Sequence, residues 1–281
     1  MNARSALFDL YGDHLRTRGR SAPIASLVRL LAALDIAAPA TRTAVSRMVR
    51  QGWLSPVRLP QGRGYALTAK AVRRLDEAGR RIYRDAPDAW DGRWHLLVIQ
   101  HIPDRARRER VRAGLGYLGY APLDDTTWLS PRPSAELEPL FAAEGVRAER
   151  FASRYDGDAR GLVGRAWDLD GLALAYERWI GEAEDLLAGC PEPGDEQAFA
   201  VRSRLVHEWR KFLFRDPGLP ATLLPDDWPG AKAARFFDAE AARLLPAASR
   251  FATIKQRLFP VCFAGELRGS QRYTLGWSRV K

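Results

Sequence analysis

Cysteine is almost missing from the sequence: Cys190 and Cys262 are the only two among 281 residues. They lie far apart with no metal-ligand spacing around them, which excludes a disulfide framework and a zinc site and leaves two reduced thiols as the expectation. Long apolar runs are missing as well. No stretch reaches the roughly 18 to 20 residues of a spanning helix. Asp9 and Asp13 interrupt the start, where a signal peptide needs an apolar segment. A multidomain cytoplasmic protein with no membrane partner is expected, since this length fits two or three domains with a core in each.

Lysine is scarce too, 5 residues against 39 arginines, and acids are scarce at the two ends. Residues 1–84 hold 16 basic against 5 acidic groups and residues 250–281 hold 7 against 1, whereas residues 85–249 hold 21 against 28. The formal net charge of +10 thus divides into +11, −7 and +6 from the first segment to the last. An arginine-rich composition alone does not produce an acidic middle. A basic block of domain size ahead of an acidic body is the footprint of an N-terminal domain that meets phosphates.

Within residues 1–84 the apolar spacing predicts helices over Ser5–Leu15 and Ile24–Leu34, then a third that Pro39 opens at its first position and Gly52 ends. A basic, glycine-containing connector separates the first two. On a helical wheel the third helix gathers Ala44, Val45, Met48 and Val49 on one side. Arg42, Thr43, Ser46, Arg47 and Arg50 fall on the other, with no acid among them. A solvated surface helix mixes charges of both signs. Arginines and hydroxyls alone suit a helix in the major groove, where Arg reaches guanine edges or phosphates. Residues 53–68 then read as a β-hairpin with a Pro-Gln-Gly-Arg-Gly tip, a wing whose Arg58 and Arg63 point to phosphates or the minor groove. Plain solubility is the competing account of those two. Thr68 is placed to cap a helix running through Leu75 to Tyr83.

The body changes pattern twice. Strands over 95–102, 126–129 and 146–153 alternate with helices over 104–118 and 134–144, a small α+β unit of ferredoxin-like type. Helices follow over 167–187, 198–213 and 231–245, with a proline-punctuated loop, 215–230, before the last. That loop is too apolar for a linker and must pack. His207, Arg210 and Lys211 stand at i, i+3 and i+4 beside it, so they are expected to share one face. Two readings stay open. They hold the phosphates or carboxylate of a small ligand, with Trp209, Phe212 or Trp228 over its apolar part, or they tie the loop to the helix through its carbonyls and Asp216. Residues 250–281 have no period over their length and read as a disordered tail or a basic arm.

The fold class is therefore α+β and multidomain: a winged helix-turn-helix over 1–84, a ferredoxin-like domain over 90–160, a helical domain over 165–249 that is the candidate effector-binding unit, and a basic tail over 250–281. The quoted segments together resemble the PaaX family of repressors of phenylacetic acid catabolism. The resemblance spans roughly residues 5 to 245. It is carried by Leu7-Phe-Asp-Leu-Tyr-Gly-Asp13, the Arg-Gln-Gly-Trp-Leu ending at Leu54, Tyr65-Ala-Leu-Thr68, and Trp90-Asp-Gly-Arg-Trp94. Val206-His-Glu-Trp-Arg210, Asp216-Pro-Gly-Leu-Pro and Leu223-Leu-Pro-Asp-Asp-Trp-Pro-Gly230 complete it. It implies a homodimer on a palindromic double-stranded operator, released by an aryl-acetyl-CoA thioester such as phenylacetyl-CoA, with no cofactor and no enzymatic activity. It also implies that the ferredoxin-like unit over 90–160 is similar to the small CRISPR adaptation nuclease and is expected to serve as a dimerisation domain. That nuclease places a metal-binding Asp at the end of its first strand, where this sequence has His101, with Asp104 displaced into the next turn. A metal-dependent nuclease needs clustered carboxylates and is the enzyme alternative. A DNA-binding protein without an effector is the second.

Overall fold

A computed structural model describes residues 1–16, 19–83 and 90–257, and its first sheet is built around a hairpin. Strand β1 (Ser21–Pro23) and strand β2 (Leu54–Leu59) both pair antiparallel with β3 (Gly62–Leu67), in the order β1-β3-β2. The sequence reading missed β1. It starts at Ser21, the last residue of the expected basic connector, and its three residues are too few to show a period of two. Helix α1 (Ala3–Leu10) packs on α2 (Ile24–Ala32) and α3 (Ala38–Arg50), and α2, α3 and α4 (Ala69–Tyr83) pack against this sheet. Leu27, Leu30 and Leu31 of α2 are fully buried, each worth about 1.5–3 kcal/mol of transfer free energy.

Two turns set the angle between these elements. After α2, Asp35 adopts a left-handed φ of 61° so that the Ile36 amide donates back to the Leu31 carbonyl at 3.1 Å, a helix stop more often built on glycine. After α3, Gly52 does the same at φ 70°, and the Trp53 amide reaches the Met48 carbonyl at 2.9 Å. The stop at Gly52 was legible. The start was not quite, because α3 begins at Ala38 and Pro39 takes its second position rather than the first. Thr68 Oγ1 accepts from the Ala71 amide and donates to the Gly52 carbonyl at 2.7 Å, capping α4 and holding it to the end of α3.

The second sheet has the order β5-β6-β4-β7, all antiparallel, from β4 (Trp94–Ile99), β5 (Ala121–Pro122), β6 (Thr127–Ser130) and β7 (Ala148–Ser153). Helices α5 (Arg105–Tyr117) and α6 (Leu137–Glu144) connect its halves, giving the split βαβ arrangement. One face buries Leu97 and Ile99 under these helices with Val111, Leu115 and Phe141. The other face carries Trp94 and Leu129. It is covered by α7 (Ala159–Ala166) and by Leu219 and Leu223 of the proline-punctuated loop. That loop packs as its apolar composition demands. Gly119, at φ 85°, lets the Pro217 carbonyl approach to where a β-carbon would stand 2.5 Å away, so no other residue fits there.

Helices α8 (Leu169–Ala188), α9 (Asp195–Trp209) and α10 (Pro229–Arg257) complete the described part of the chain. Their core stacks Trp209 on Phe237 with centroids 4.8 Å apart and Tyr176 on Phe212 at 4.1 Å. Helix α10 corrects the expectation of a tail from residue 250. It runs through Pro246 to Arg257, and its last turns bury Ala248, Phe251 and Ala252 in the N-terminal core beside Phe199. Residues 258–281 lie outside the described part. Among the described residues no helix is long and apolar enough to cross a membrane.

Candidate nucleic-acid interface

Helix α3 keeps the two faces its periodicity predicts. Ala44, Val45 and Met48 are buried, Val49 is half-buried, and Arg42, Thr43, Ser46, Arg47 and Arg50 are all exposed. Thr41, at the boundary, is buried and donates to the Ala37 carbonyl at 3.3 Å. Arg58 and Arg63 sit directly opposite each other in the hairpin, both exposed. Like charges facing across a strand pair repel, so this pairing favours an anion laid across the hairpin. Among the described residues none of these five arginines has an ion-pair partner, although arginines elsewhere in the fold are paired with acids.

The four effector candidates His207, Arg210, Lys211 and Trp228 do not converge on one site. His207 Nδ1 lies 2.7 Å from Asp9 Oδ2 and Arg210 Nη1 lies 2.5 Å from Asp9 Oδ1, so both side chains are turned toward α1. The alternative in which they brace the proline-punctuated loop fails for the same reason. Asp216 is instead held by the Tyr176 hydroxyl, and Arg81 donates to the backbone carbonyls of Leu213 and Asp216 at 3.1 and 2.7 Å. The backbone tightens into a 3-10 turn at Arg210–Phe214, and Lys211 points to solvent against Glu208 at 2.5 Å. Trp228 lies edge-on to Tyr176 in the helical core, 6.2 Å between centroids. Trp209 and Phe212 are buried core residues.

Sequence reasoning missed the acids that receive these side chains. Asp9 is 5 % exposed, and the chain after α1 forms a π-helical turn, Tyr11–Leu15, that carries Asp13 and His14. Asp13 takes two bonds from Arg202, at 2.6 and 3.0 Å, and Arg202 also donates to the Ala241 carbonyl of α10. Two buried acids, Asp9 on α1 and Asp13 on the turn after it, thus bind Arg202 and His207 of α9 and Arg210 of the turn that follows. The available signal was the pair of acids at i and i+4 in an otherwise apolar segment.

A cavity of about 260 Å³ opens next to Asp9, where α1, α4, the end of α5 and the turn after α9 meet. Of the four effector candidates, only Arg210 lines it. Phe8 meets Trp53 edge-on at 5.2 Å on one wall, and Tyr117 meets Phe214 at 5.1 Å on another.

The same three-part organisation is found in known proteins. Residues 2–71 match the family described as PaaX-like protein, 87–160 the PaaX protein central Cas2-like domain, and 167–254 the PaaX-like protein C-terminal domain. The chain belongs to the PaaX family. It is 30 % identical over 267 residues to the transcriptional repressor PaaX of Escherichia coli strain K12, covering 91 % of this chain and 84 % of that one. Among solved structures it is similar to the uncharacterized protein Rv0674 from Mycobacterium tuberculosis. The TM-score there is 0.59 at 26 % identity, covering 90 % of this chain and 99 % of that one. In this PaaX-family chain the third match ends at residue 254, inside the part of α10 that packs on the N-terminal core.

Proposed function

We propose that this chain is a DNA-binding transcriptional repressor of an aromatic, phenylacetate-type catabolic operon, relieved by an aryl-acetyl-CoA thioester. The observation that carries this reading is the exposed, acid-free face of α3 followed at once by a hairpin with an arginine pair. Membership of the PaaX family and the likeness to a curated repressor over nearly the whole chain support it. In this reading α2, α3 and the β2–β3 hairpin act as a winged helix-turn-helix. Arg42, Thr43, Ser46, Arg47 and Arg50 enter the major groove while Arg58 and Arg63 take the flanking phosphates or minor groove.

A homodimer is part of the proposal, because a palindromic operator requires two copies of α3 related by a two-fold axis. The β4–β7 side of the second sheet supports the central domain as its seat. Val98 and Phe151 are exposed there on one face, at 39 % and 51 %, and β7 is an edge strand. The nuclease alternative has no comparable support, since β4 ends at Ile99 and is followed by Gln100 and His101 rather than by a carboxylate.

The test is a gel-shift titration on the promoter region of the protein's own operon at fixed salt, with and without phenylacetyl-CoA. Tight specific binding abolished by the thioester is expected. Specific binding indifferent to phenylacetyl-CoA sends the search for an effector to other acyl groups, and the absence of specific binding overturns the repressor reading.

A further inference from the structure

We propose that the cavity beside Asp9 and a second cavity against it form one two-chambered ligand site for an aryl group carried on a polyanionic tail. The proposal rests on the ligand-responsive reading above and gives it a location. The first chamber is apolar where Phe8, Trp53, Tyr117 and Phe214 line it, and its volume of about 260 Å³ is of the order a benzyl-sized group needs. Its second wall is formed by Leu75 and Ile82 of α4.

The second chamber, about 380 Å³, shares Trp53 and Arg74 with the first and adds Lys70 and Arg73 from the same face of α4, facing Glu136, Pro139 and Leu140, so that three cations stand against one carboxylate. Three cations from one turn of helix, beside a chamber walled by aromatic rings, match a ligand with phosphates at one end and a ring at the other. The cations are available. Lys70 lies over the Trp53 ring at 4.4 Å and Arg74 over the Tyr117 ring at 3.5 Å, and neither has an ion pair among the described residues. Arg4, over Phe8 at 5.6 Å in the first chamber, is likewise without an acid. Arg210 is already neutralised by Asp9 and contributes shape rather than charge.

The position gives the site leverage over α3. Trp53 follows Gly52 directly, its amide closes the end of α3 on the Met48 carbonyl, and β2 begins at the next residue. A ligand wedged between Trp53, Tyr117 and Phe214 presses on the junction of α3 and the hairpin from the central and C-terminal units at once. Release of DNA then follows if the ligand binds the displaced arrangement of Trp53 more tightly than the one seen here.

Calorimetry on the full chain without DNA tests the site, using phenylacetyl-CoA, coenzyme A alone and phenylacetate as probes. Two variants address the chambers separately: Arg73→Gln, which lines the second chamber and not the first, and Phe214→Ala, which lines the first and not the second and whose side chain is 65 % exposed, so that its loss spares the core. Lys232→Gln, on the exposed face of α10, is the control. Thioester affinity is expected to fall at least tenfold in both variants and to stay unchanged in the control. Coenzyme A alone should weaken only with Arg73→Gln, and phenylacetate only with Phe214→Ala. Tight thioester binding that both variants retain overturns the site while leaving the effector reading intact. A wild-type chain that binds DNA specifically but takes up none of the three probes overturns the site and the phenylacetyl-CoA effector together, and leaves the repressor reading standing.

Discussion

Asp9 Oδ2 lies 2.7 Å from His207 Nδ1 while Arg210 closes on Asp9 Oδ1 at 2.5 Å, so one buried carboxylate of the first helix holds two residues of the C-terminal unit. Removing it strands the Arg210 guanidinium in a site that is only 20 % exposed. Breaking one side of a buried pair costs more than the pair contributes, so Asp9→Ala is expected to destabilise the chain by about 3 kcal/mol. Equilibrium urea unfolding followed by circular dichroism measures this. A loss below about 1 kcal/mol, the range of an exposed pair, would show that the contact adds little.

The two faces of the proposed DNA interface are expected to fail differently. Arg47→Ala should cost about 1–3 kcal/mol of operator affinity and relax preference at one position in each half-site, as loss of a base contact does. Arg58→Ala should weaken all sequences alike and lower the slope of log affinity against log salt by about 1, as loss of a phosphate contact does. Binding measured over a salt series on operator variants separates the two. Unchanged specificity for Arg47→Ala removes that side chain from base reading.

Much of this was legible because the informative periods are long. The α3 face repeats over three turns and the hairpin is flanked by apolar residues, so Arg42, Arg47, Arg58 and Arg63 could be placed on exposed surfaces from spacing alone. The His207, Arg210 and Lys211 face was misjudged because a helical wheel assumes that the α-helix continues. The tightening into a 3-10 turn at Arg210 turns Lys211 outward, and the partner of the other two lies about 200 residues earlier in sequence at Asp9. Helix α10 was cut short for a similar reason. Pro246 reads as a stop, since proline inside a helix costs about 3 kcal/mol. Burial of Ala248, Phe251 and Ala252 against another unit offsets that cost, and no local pattern announces it.

Phe251 is the residue on which that offset depends most. Its ring lies 5.2 Å from Phe199, and one turn later the Lys255 carbonyl accepts from the Ser26 hydroxyl of α2 at 3.0 Å. Phe251→Ala is expected to cost about 3–5 kcal/mol, the range for an aromatic cavity in a core that collapses poorly. The N-terminal unit shares this core with α9 and α10, so amides of α2 should lose hydrogen-exchange protection along with those of α10. Protection lost in α10 alone would mean that the N-terminal unit stands without it.

Buried phenols give the fold an alkaline limit. Tyr11 is fully buried and donates to the Tyr65 carbonyl at 2.8 Å, and burial raises its ionisation well above the ordinary 10. Tyr120, 3 % exposed in the central unit, is pushed up by burial to about 12. A phenol whose ionisation is raised by folding contributes its full stabilisation below the unfolded value. That contribution is lost as pH climbs through the folded one, because the unfolded chain releases the proton first. Stability should therefore be flat toward pH 10 and fall between about 10 and 12. Tyr11→Phe should lower stability at neutral pH by about 1 kcal/mol through the lost hydrogen bond and make the alkaline fall shallower. Urea unfolding at a series of pH values, with tyrosinate absorbance read in parallel, distinguishes this from surface titration. An alkaline limb as steep in Tyr11→Phe as in the wild type would assign the fall to groups other than Tyr11.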